Sequence, residues 1–428
     1  MRIVFASIGS LGDLHPMLAL GCAAARRGHD VVVAAAPGYL ENVVRAGLEF
    51  QPLRPAIPED AESLAYYFDM KRGPQRLLRD MIFQDVAATH EDLCRATCGA
   101  DLLVVGELLY TASIAAAGEG IPWLNVVLAP TSMLSATDPC VLAPAPWLHK
   151  FRHMGPWLHR LAYFFGKIEG RMWAGGYYRF RQSLGLPAGA NPIFEAKHSP
   201  LGTLAMFPEF FAAKQPDWPV GTVQAGFPFY DQGGELEVVK EFLKNGSPPI
   251  VFTLGSIVAH FEPSFYRAAA EAALILGRRA ILLTGRNASV PENLPDSVLA
   301  VGYAPLHSVL PHAVAIVHAG GIGTCAEALK AGLPSVVIPY AFDQPDNAAR
   351  LARLGVAEIL PRGSISARQL AAKLDKLLKT PAATISAGRL ATLIGPQEAL
   401  DQALDKMESL APGCEGRICV GGLSYRPK

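Results

Sequence analysis

The sequence predicts two α/β domains, each built on a parallel β-sheet covered by helices on both faces. Three observations lead there. The chain has 428 residues, too many for one ordinary core and suited to two units of about 200 residues. Short apolar runs alternate with amphipathic stretches, the signature of strand–helix–strand units. The alternation then stops near the middle of the chain and restarts.

In the first half, Arg2–Ser7 reads as a buried strand and Pro16–Arg27 as a helix ending at Gly28. Asp30–Ala36, Asp101–Gly106 and Pro122–Leu128 read as further strands, with a helix over Thr111–Gly118. Residues 130–200 break the rhythm and predict an insertion of loops and helices. Gln215-Pro216-Asp217-Trp218-Pro219 and Asp231-Gln232-Gly233-Gly234 have linker chemistry. Pro249–Leu254, Arg279–Leu283, Ala313–His318 and Ser335–Pro339 are the strands of the second half. Helices are expected at about Ser264–Leu276, Gly323–Lys330, Gln344–Leu354 and Pro396–Leu410, and Cys414–Lys428 carries no pattern. The domains implied are 1–215, a linker 216–245, 246–395, and a terminal helix with an unassigned tail, 396–428.

Composition narrows the function classes. Lys+Arg and Asp+Glu both number 38, so no global field draws nucleic acid and anions must be bound by local geometry. Apolar residues are 50% of the chain and mean hydropathy is +0.23, which implies much burial or contact with a greasy surface. No apolar run reaches the ~20 residues of a membrane span, and the N-terminus lacks a leader pattern. Seven cysteines, an odd number without a C-x-x-C pair, fit a reducing cytoplasm.

The most informative stretch is His318-Ala319-Gly320-Gly321-Ile322-Gly323-Thr324-Cys325-Ala326-Glu327. It is strand, glycine loop, helix: free amides and the positive end of a helix dipole face one loop, which suits a diphosphate. Tight strand–helix packing is the plainer reading of such glycines. Asp343 and Gln344 follow the next strand, where open α/β sheets place ligands, and offer groups for sugar hydroxyls. Tyr303 brings a ring to a loop beside Pro305, and Ser256 ends another strand as a second phosphate contact.

Tyr303-x-Pro305, His318-x-Gly320-Gly321-x-Gly323-Thr324 and Asp343-Gln344-x-x-Asn347 together resemble the donor signature of the glucuronosyl/glycosyltransferase superfamily of GT-B fold. Gly9-Ser10-x-Gly12-Asp13 and Ala225-Gly226-Phe227-Pro228 extend the resemblance over nearly the whole chain. Among bacterial members the sequence is similar to the rhamnosyltransferase of rhamnolipid synthesis. The resemblance implies two facing Rossmann-like domains with a central cleft. It implies that Tyr303 stacks on the base, that the amides of Gly320, Gly321, Ile322, Gly323 and Thr324 with Ser256 hold the diphosphate, and that Asp343 and Gln344 grip the sugar. Glu327 falls near the ribose. Departures are Tyr303 where many relatives have Trp, Leu306 where many have Gln, and Ala319 where many carry a second histidine, which weakens the His318 side-chain contact.

In the first half, Gly9-Ser10-Leu11-Gly12-Asp13-Leu14-His15-Pro16 puts a carboxylate and an imidazole in one turn after the first strand. Transfer with inversion needs a base for the acceptor hydroxyl. The superfamily's catalytic histidine matches Asp13, so Asp13 is the expected base and His15 the alternative. A helix N-cap is the structural alternative for Asp13. Ser10, Gly12 and Glu107 are acceptor-side candidates, Glu107 either orienting the site or lying solvated on its loop.

No Asp-x-Asp pair occurs, so metal independence is expected, with no cofactor beyond the nucleotide-sugar co-substrate. Trp147, Trp157 and Trp173 stand among Lys150, Arg152, Arg160, Lys167, Arg171, Arg179 and Arg181, with Glu169 the only acid. That mix fits a pocket for an amphiphilic acceptor, a peripheral contact of 147–181 with the inner membrane face, or a plain helical lid. The function expected is inverting transfer of a hexose, from a dTDP-rhamnose or UDP-glucose type donor, to a hydrophobic, lipid-like or secondary-metabolite alcohol. Two alternatives share the architecture: a sugar-nucleotide epimerase, which needs acid/base groups around the sugar, and a non-catalytic sugar-nucleotide-binding partner, which has no need of Asp13, Asp343 and Gln344. A dehydrogenase is disfavoured, because Gly9-Ser10-Leu11-Gly12 is not G-x-G-x-x-G.

Overall fold

A computed structural model describes residues 1–231, 233–234, 237–262, 264–285 and 293–411, with the Ser256 side chain excepted. Gln232 and the Cys414–Lys428 tail therefore lie outside the described residues, and so does the expected Ser256 hydroxyl contact.

Thirteen strands form two sheets, and every pairing within them is parallel. The first sheet contains β1 (Arg2–Ala6), β2 (Asp30–Ala35), β3 (Glu49–Pro52), β4 (Leu102–Val105), β5 (Trp123–Val127), β6 (Thr203–Ala205) and β7 (Val223–Gln224). Their order is β3-β2-β1-β4-β5-β6-β7. The second contains β8 (Ile250–Thr253), β9 (Ala280–Leu283), β10 (Val298–Val301), β11 (Ala315–His318), β12 (Ser335–Val337) and β13 (Ala357–Ile359), in the order β10-β9-β8-β11-β12-β13. Each sheet reverses direction of addition once, between β1 and β4 and between β8 and β11. Open α/β sheets bind ligands beyond the strand ends at such a switch point.

The central strands form because they can be buried on both faces: β1 is Ile3, Val4, Phe5 and Ala6, all fully buried. Edge strands are short and mixed, as in the Glu49–Pro52 strand, and the sequence pattern did not mark them. Residues 130–200 are indeed loops and helices, chiefly Pro156–Trp173 and Gly175–Ser183.

The first helix runs Leu11–Arg26, five residues earlier than its pattern implied, with Pro16 inside it. Ser10 is its N-cap and Asp13 closes a capping box by accepting from the Ser10 amide. Those two bonds satisfy the amides that a start at Pro16 would have left to the loop.

Several contacts tie the lobes, among them an apolar cluster in which Val127, Phe207 and Phe227 of the first lobe meet Cys325, Val337 and Leu351 of the second. The Pro396–Glu408 helix returns to the first lobe, where Leu400, Ala403, Leu404 and Met407 share a core with Ile3, Phe5 and Leu18. Arg27 fixes it by ion pairs to Asp405 at 2.7 Å and Asp401 at 2.8 Å. Arg350 in the Gln344–Arg353 helix is 2% exposed and pairs with Asp346 at 2.7 Å and with Asp138 of the first lobe at 2.8 Å. Phe68 meets Phe342 edge-on with ring centroids 5.0 Å apart.

Candidate active site

The second-lobe half of the site is built by backbone. β11 ends at His318, Gly321 caps the Ile322–Lys330 helix, and Gly320 turns the chain at φ +91°. A Cβ on Gly320 would lie 2.8 Å from Val337 Cγ1, so only glycine passes there, whereas one on Gly321 or Gly323 would meet nothing within 4 Å. Gly320 thus serves the packing of loop on sheet, and Gly321 and Gly323 border open space in front of the helix amides. An anion fits that position.

His318 is fully buried. Its Nδ1 accepts from the Gly320 amide at 3.1 Å, which leaves the proton on Nε2, and Nε2 has no partner. Burial holds its pKa down to about 3, so the ring is neutral and offers one N–H donor.

β12 leads into Tyr340-Ala341-Phe342-Asp343. Phe342 adopts φ +55°, a left-handed turn that costs on the order of 1 kcal/mol for a bulky residue. Its ring packs against Phe68 of the first lobe. Gln344 Oε1 accepts from the Tyr340 amide at 2.8 Å and the Ala341 amide at 3.2 Å, so it braces the loop and keeps only its amide nitrogen for a ligand. Asn347 Nδ2 donates to Asp343 Oδ2 at 2.7 Å and to the Gly320 carbonyl at 2.9 Å, joining the two ligand loops. Asn347 was legible only as the last residue of the Asp343-Gln344-x-x-Asn347 motif.

Tyr303 is half-buried on the loop after β10, and Pro305 begins the following helical turn. Glu327 is half-buried on the glycine-loop helix, its pKa raised by burial. Thr324 lies one residue past Gly323 on the same helix, half-buried, and Ile322 at its start packs against the inter-lobe apolar cluster.

In the first lobe, Asp13 sits at the third position of its helix rather than at the cap. Its Oδ2 accepts from the Ser10 amide at 2.7 Å and Ser10 Oγ at 3.1 Å. A Cβ on Gly9 would lie 2.2 Å from that oxygen, so Gly9 is required for the carboxylate to lie there. Asp13 is half-buried by surface area, yet protein surrounds its carboxylate closely. Burial, with the nearby charge of Glu107, raises its pKa to about 6 in spite of the Ser10 hydrogen bonds.

Glu107 follows β4, next to β1 in the sheet, and is held rather than solvated: its oxygens accept from the Leu128 amide at 3.2 Å and from Ser132 Oγ. Burial lowers the pKa of Lys197, and the Glu107 charge partly offsets this. The sequence reading missed Lys197, because it lies in the insertion, far from any motif.

The two halves converge. Burial pushes the Asp343 carboxyl up to about 7, and the charges of Asp13 and Glu107 push in the same direction. His15, by contrast, packs against Tyr230 with ring centroids 5.6 Å apart, and burial lowers its pKa to about 4, which makes it a weak base. Ser10 is engaged as the cap, Gly12 is exposed, and Trp147 and Trp157 stand in solvent. Trp173, at the end of its helix, is half-buried against the first-lobe core cluster that contains Phe83 and Tyr177.

Two Rossmann-like lobes, each on a parallel sheet with one switch point, define the GT-B architecture of glycosyltransferases. Solved structures of that architecture superpose on nearly the whole chain. A kitacinnamycin glycosyltransferase matches at TM-score 0.72 and 23% identity, covering 96% of this chain and 99% of its own. The calicheamicin glycosyltransferase CalG4 matches at 0.69 and 20%, with the same coverage.

Among curated proteins, the O-mycaminosyltylonolide 6-deoxyallosyltransferase of Streptomyces fradiae is 33% identical over 439 aligned positions, covering 96% of this chain and 98% of the relative. Glycosyltransferase GtfE of Amycolatopsis orientalis is 28% identical over 83% of this chain and 85% of its own. Residues 277–399 match the family model of the erythromycin biosynthesis protein CIII-like C-terminal domain. The chain belongs to the glycosyltransferases of this macrolide-antibiotic type and is an enzyme. The epimerase and the non-catalytic binding partner are corrected by that membership.

Proposed function

We propose that this glycosyltransferase moves a deoxyhexose from a thymidine diphosphate donor to a hydroxyl of a large hydrophobic alcohol, with inversion and without a metal ion. What carries the reading is that Asn347 joins Asp343 to the glycine loop on one lobe, while the charge of Asp13 on the other lobe still reaches Asp343.

The Asp13 carboxylate takes the proton of the acceptor hydroxyl, whose oxygen attacks C1 of the sugar from the face opposite the diphosphate. The C1–oxygen bond breaks and its electron pair goes to the diphosphate. The amides of Gly321, Ile322, Gly323 and Thr324, the helix dipole and His318 Nε2–H meet that charge. Asp343 and the Gln344 amide hold the sugar hydroxyls, Tyr303 stacks on the base and Glu327 takes the ribose. A carboxylate with a pKa near 6 is ionised at neutral pH and still basic enough to work.

The donor reading draws support from the 6-deoxyallosyltransferase relative and from fold neighbours solved with thymidine diphosphate, a spinosyn rhamnosyltransferase at TM-score 0.67 and VinC at 0.66. The same relative, named for a glycosylated tylonolide, favours a macrolactone alcohol over the hydroxy-fatty acid that a rhamnolipid rhamnosyltransferase would use. Five described cysteines are free thiols, which supports a cytoplasmic setting.

The test is mass spectrometry of products from dTDP-rhamnose, another dTDP-deoxyhexose and UDP-glucose, each with a macrolactone and with a hydroxy-fatty-acid dimer, in EDTA. The expected product is an inverted glycoside of the macrolactone from a thymidine donor. A retained anomer, or turnover that EDTA abolishes, would overturn the mechanism. Exclusive use of UDP-glucose or of the fatty acid would overturn the substrate assignment.

A further inference from the structure

The Pro156–Trp173 helix is amphipathic in the wrong sense for a core helix. Its inward face carries His159, Tyr163, Gly166 and Gly170. A Cβ on Gly166 or Gly170 would come within 3.2 Å of Phe194 or Ile193, so the small residues let the helix press close to the segment beneath. Trp157, Leu161, Phe164, Phe165, Ile168 and Met172 recur at helical spacing on the opposite side, all exposed to solvent. The preceding turns add Trp147, Phe151 and Met154, and over this surface exposure runs from 41% at Phe151 to 69% at Met172. A contiguous apolar stripe of this kind marks a contact surface.

Charge identifies the occupant. Lys150, Arg152, Arg160, Lys167 and Arg171 lie in the same segment, and Glu169 is its only acid. On the helix, Arg160, Lys167 and Arg171 fall along one border of the stripe. Lys167 pairs there with Glu195 at 2.6 Å and the Arg171 guanidinium lies over the Tyr178 ring, so the charge offered to a partner rests on Arg160 with Lys150 and Arg152 of the preceding turns. A second copy meeting this face with its helix antiparallel would bring like charges together. Large apolar and aromatic side chains bordered by cations suit the headgroup boundary of an anionic bilayer, where rings sink and cations meet lipid phosphates.

We infer that the outward face of the Pro156–Trp173 helix, with the turn from Trp147 to Met154, docks this enzyme on an anionic lipid membrane. The inference holds whatever sugar and acceptor are used. It also places the cleft near the bilayer: Tyr163, on the inward face of the same helix, donates to the Ser135 carbonyl at 3.1 Å, and Ser132 just upstream holds Glu107. A hydrophobic alcohol dissolved in lipid would then have a short path to the acceptor side.

The test is flotation of the full chain with vesicles of phosphatidylcholine alone or with about 30% phosphatidylglycerol. Binding is expected to the anionic vesicles and to weaken in high salt. Replacing Phe164, Phe165 and Ile168 together by Gln should lower partitioning about tenfold or more, with transfer to a water-soluble acceptor unchanged. Lys150→Gln with Arg160→Gln, which leaves the apolar stripe intact, should weaken only the anionic-vesicle binding. Failure of the wild type to float, equal binding to neutral vesicles, or full binding by the charge variant would overturn the inference. So would a self-association or an acidic-protein contact abolished by the triple variant while vesicle binding is unaffected.

Discussion

Asp13 and Asp343 belong to different lobes, yet the charge of Asp13 helps to raise the Asp343 carboxyl to about 7. In the proposed mechanism these carboxylates sit where a sugar bound to one lobe meets a hydroxyl bound to the other. The predictions below follow from this geometry and from the hydrogen bonds around it.

The pH dependence of kcat/KM should show an acidic limb near the Asp13 pKa of about 6, because the base must be ionised to take a proton. Glu107 raises that pKa, so Glu107→Gln should move the limb to lower pH, by about half a unit. A limb that stays fixed or moves upward would show that Glu107 does not act on the base.

Gly9→Ala should cripple transfer without harming donor binding. The added methyl would occupy the place of Asp13 Oδ2, 2.2 Å away, and push the carboxylate aside. A displacement of about 1 Å costs around a hundredfold in rate. Calorimetry with dTDP should give an affinity within about twofold of the wild type, as the glycine loop is on the other lobe.

The fold was legible where strands are buried on both faces. Residues 3–6, 250–252 and 315–317 are continuous apolar runs, too short for a buried helix and rich in β-branched residues. The Glu49–Pro52, Val223–Gln224, Val298–Val301 and Ala357–Ile359 strands were not legible, being short strands at or near a sheet edge whose pairing depends on their neighbours. The buried Thr203–Ala205 strand was missed because three residues carry no pattern. Pro16 hid the true helix start, since proline normally marks a first turn and here the Ser10–Asp13 capping box forms five residues earlier. Of the site, the glycine loop and the Asp343-Gln344 pair were readable because backbone chemistry imposes their pattern. That Glu107 is held beside Asp13 follows only from β1 and β4 being neighbours at the switch point. The stripe from Trp157 to Met172 has ordinary helical periodicity, and sequence cannot say which face the fold turns outward.

Arg350→Met should destabilise the protein by about 3–5 kcal/mol in urea unfolding, because Asp346, 1% exposed, would be left as an unpaired buried charge. Adding Asp346→Leu should recover part of the loss, less what the Val141 amide loses with its bond to Asp346. A single variant with wild-type stability would contradict the role assigned to the buried Arg350.

Asp13→Asn should change stability in the opposite direction to activity. An aspartate whose folded pKa is about 6 is most stable when protonated in the native state. Below pH ~4 both states are protonated, and the penalty of ionising it grows as pH rises to about 6, reaching no more than about 3 kcal/mol. The variant should therefore melt at an equal or higher temperature at pH 8, less whatever the altered capping box costs, with the gain shrinking towards pH 4. A melting temperature that falls at pH 8 but not at pH 4 would reverse the sign of the assigned shift.

The most direct test of the mechanism is the single-turnover transfer rate of Asp13→Asn at saturating donor, measured together with dTDP affinity. The account predicts a loss of about 10²–10⁴-fold in rate with donor affinity nearly unchanged. A rate within a few fold of the wild type would contradict it, since the proton would then be leaving the acceptor by another route.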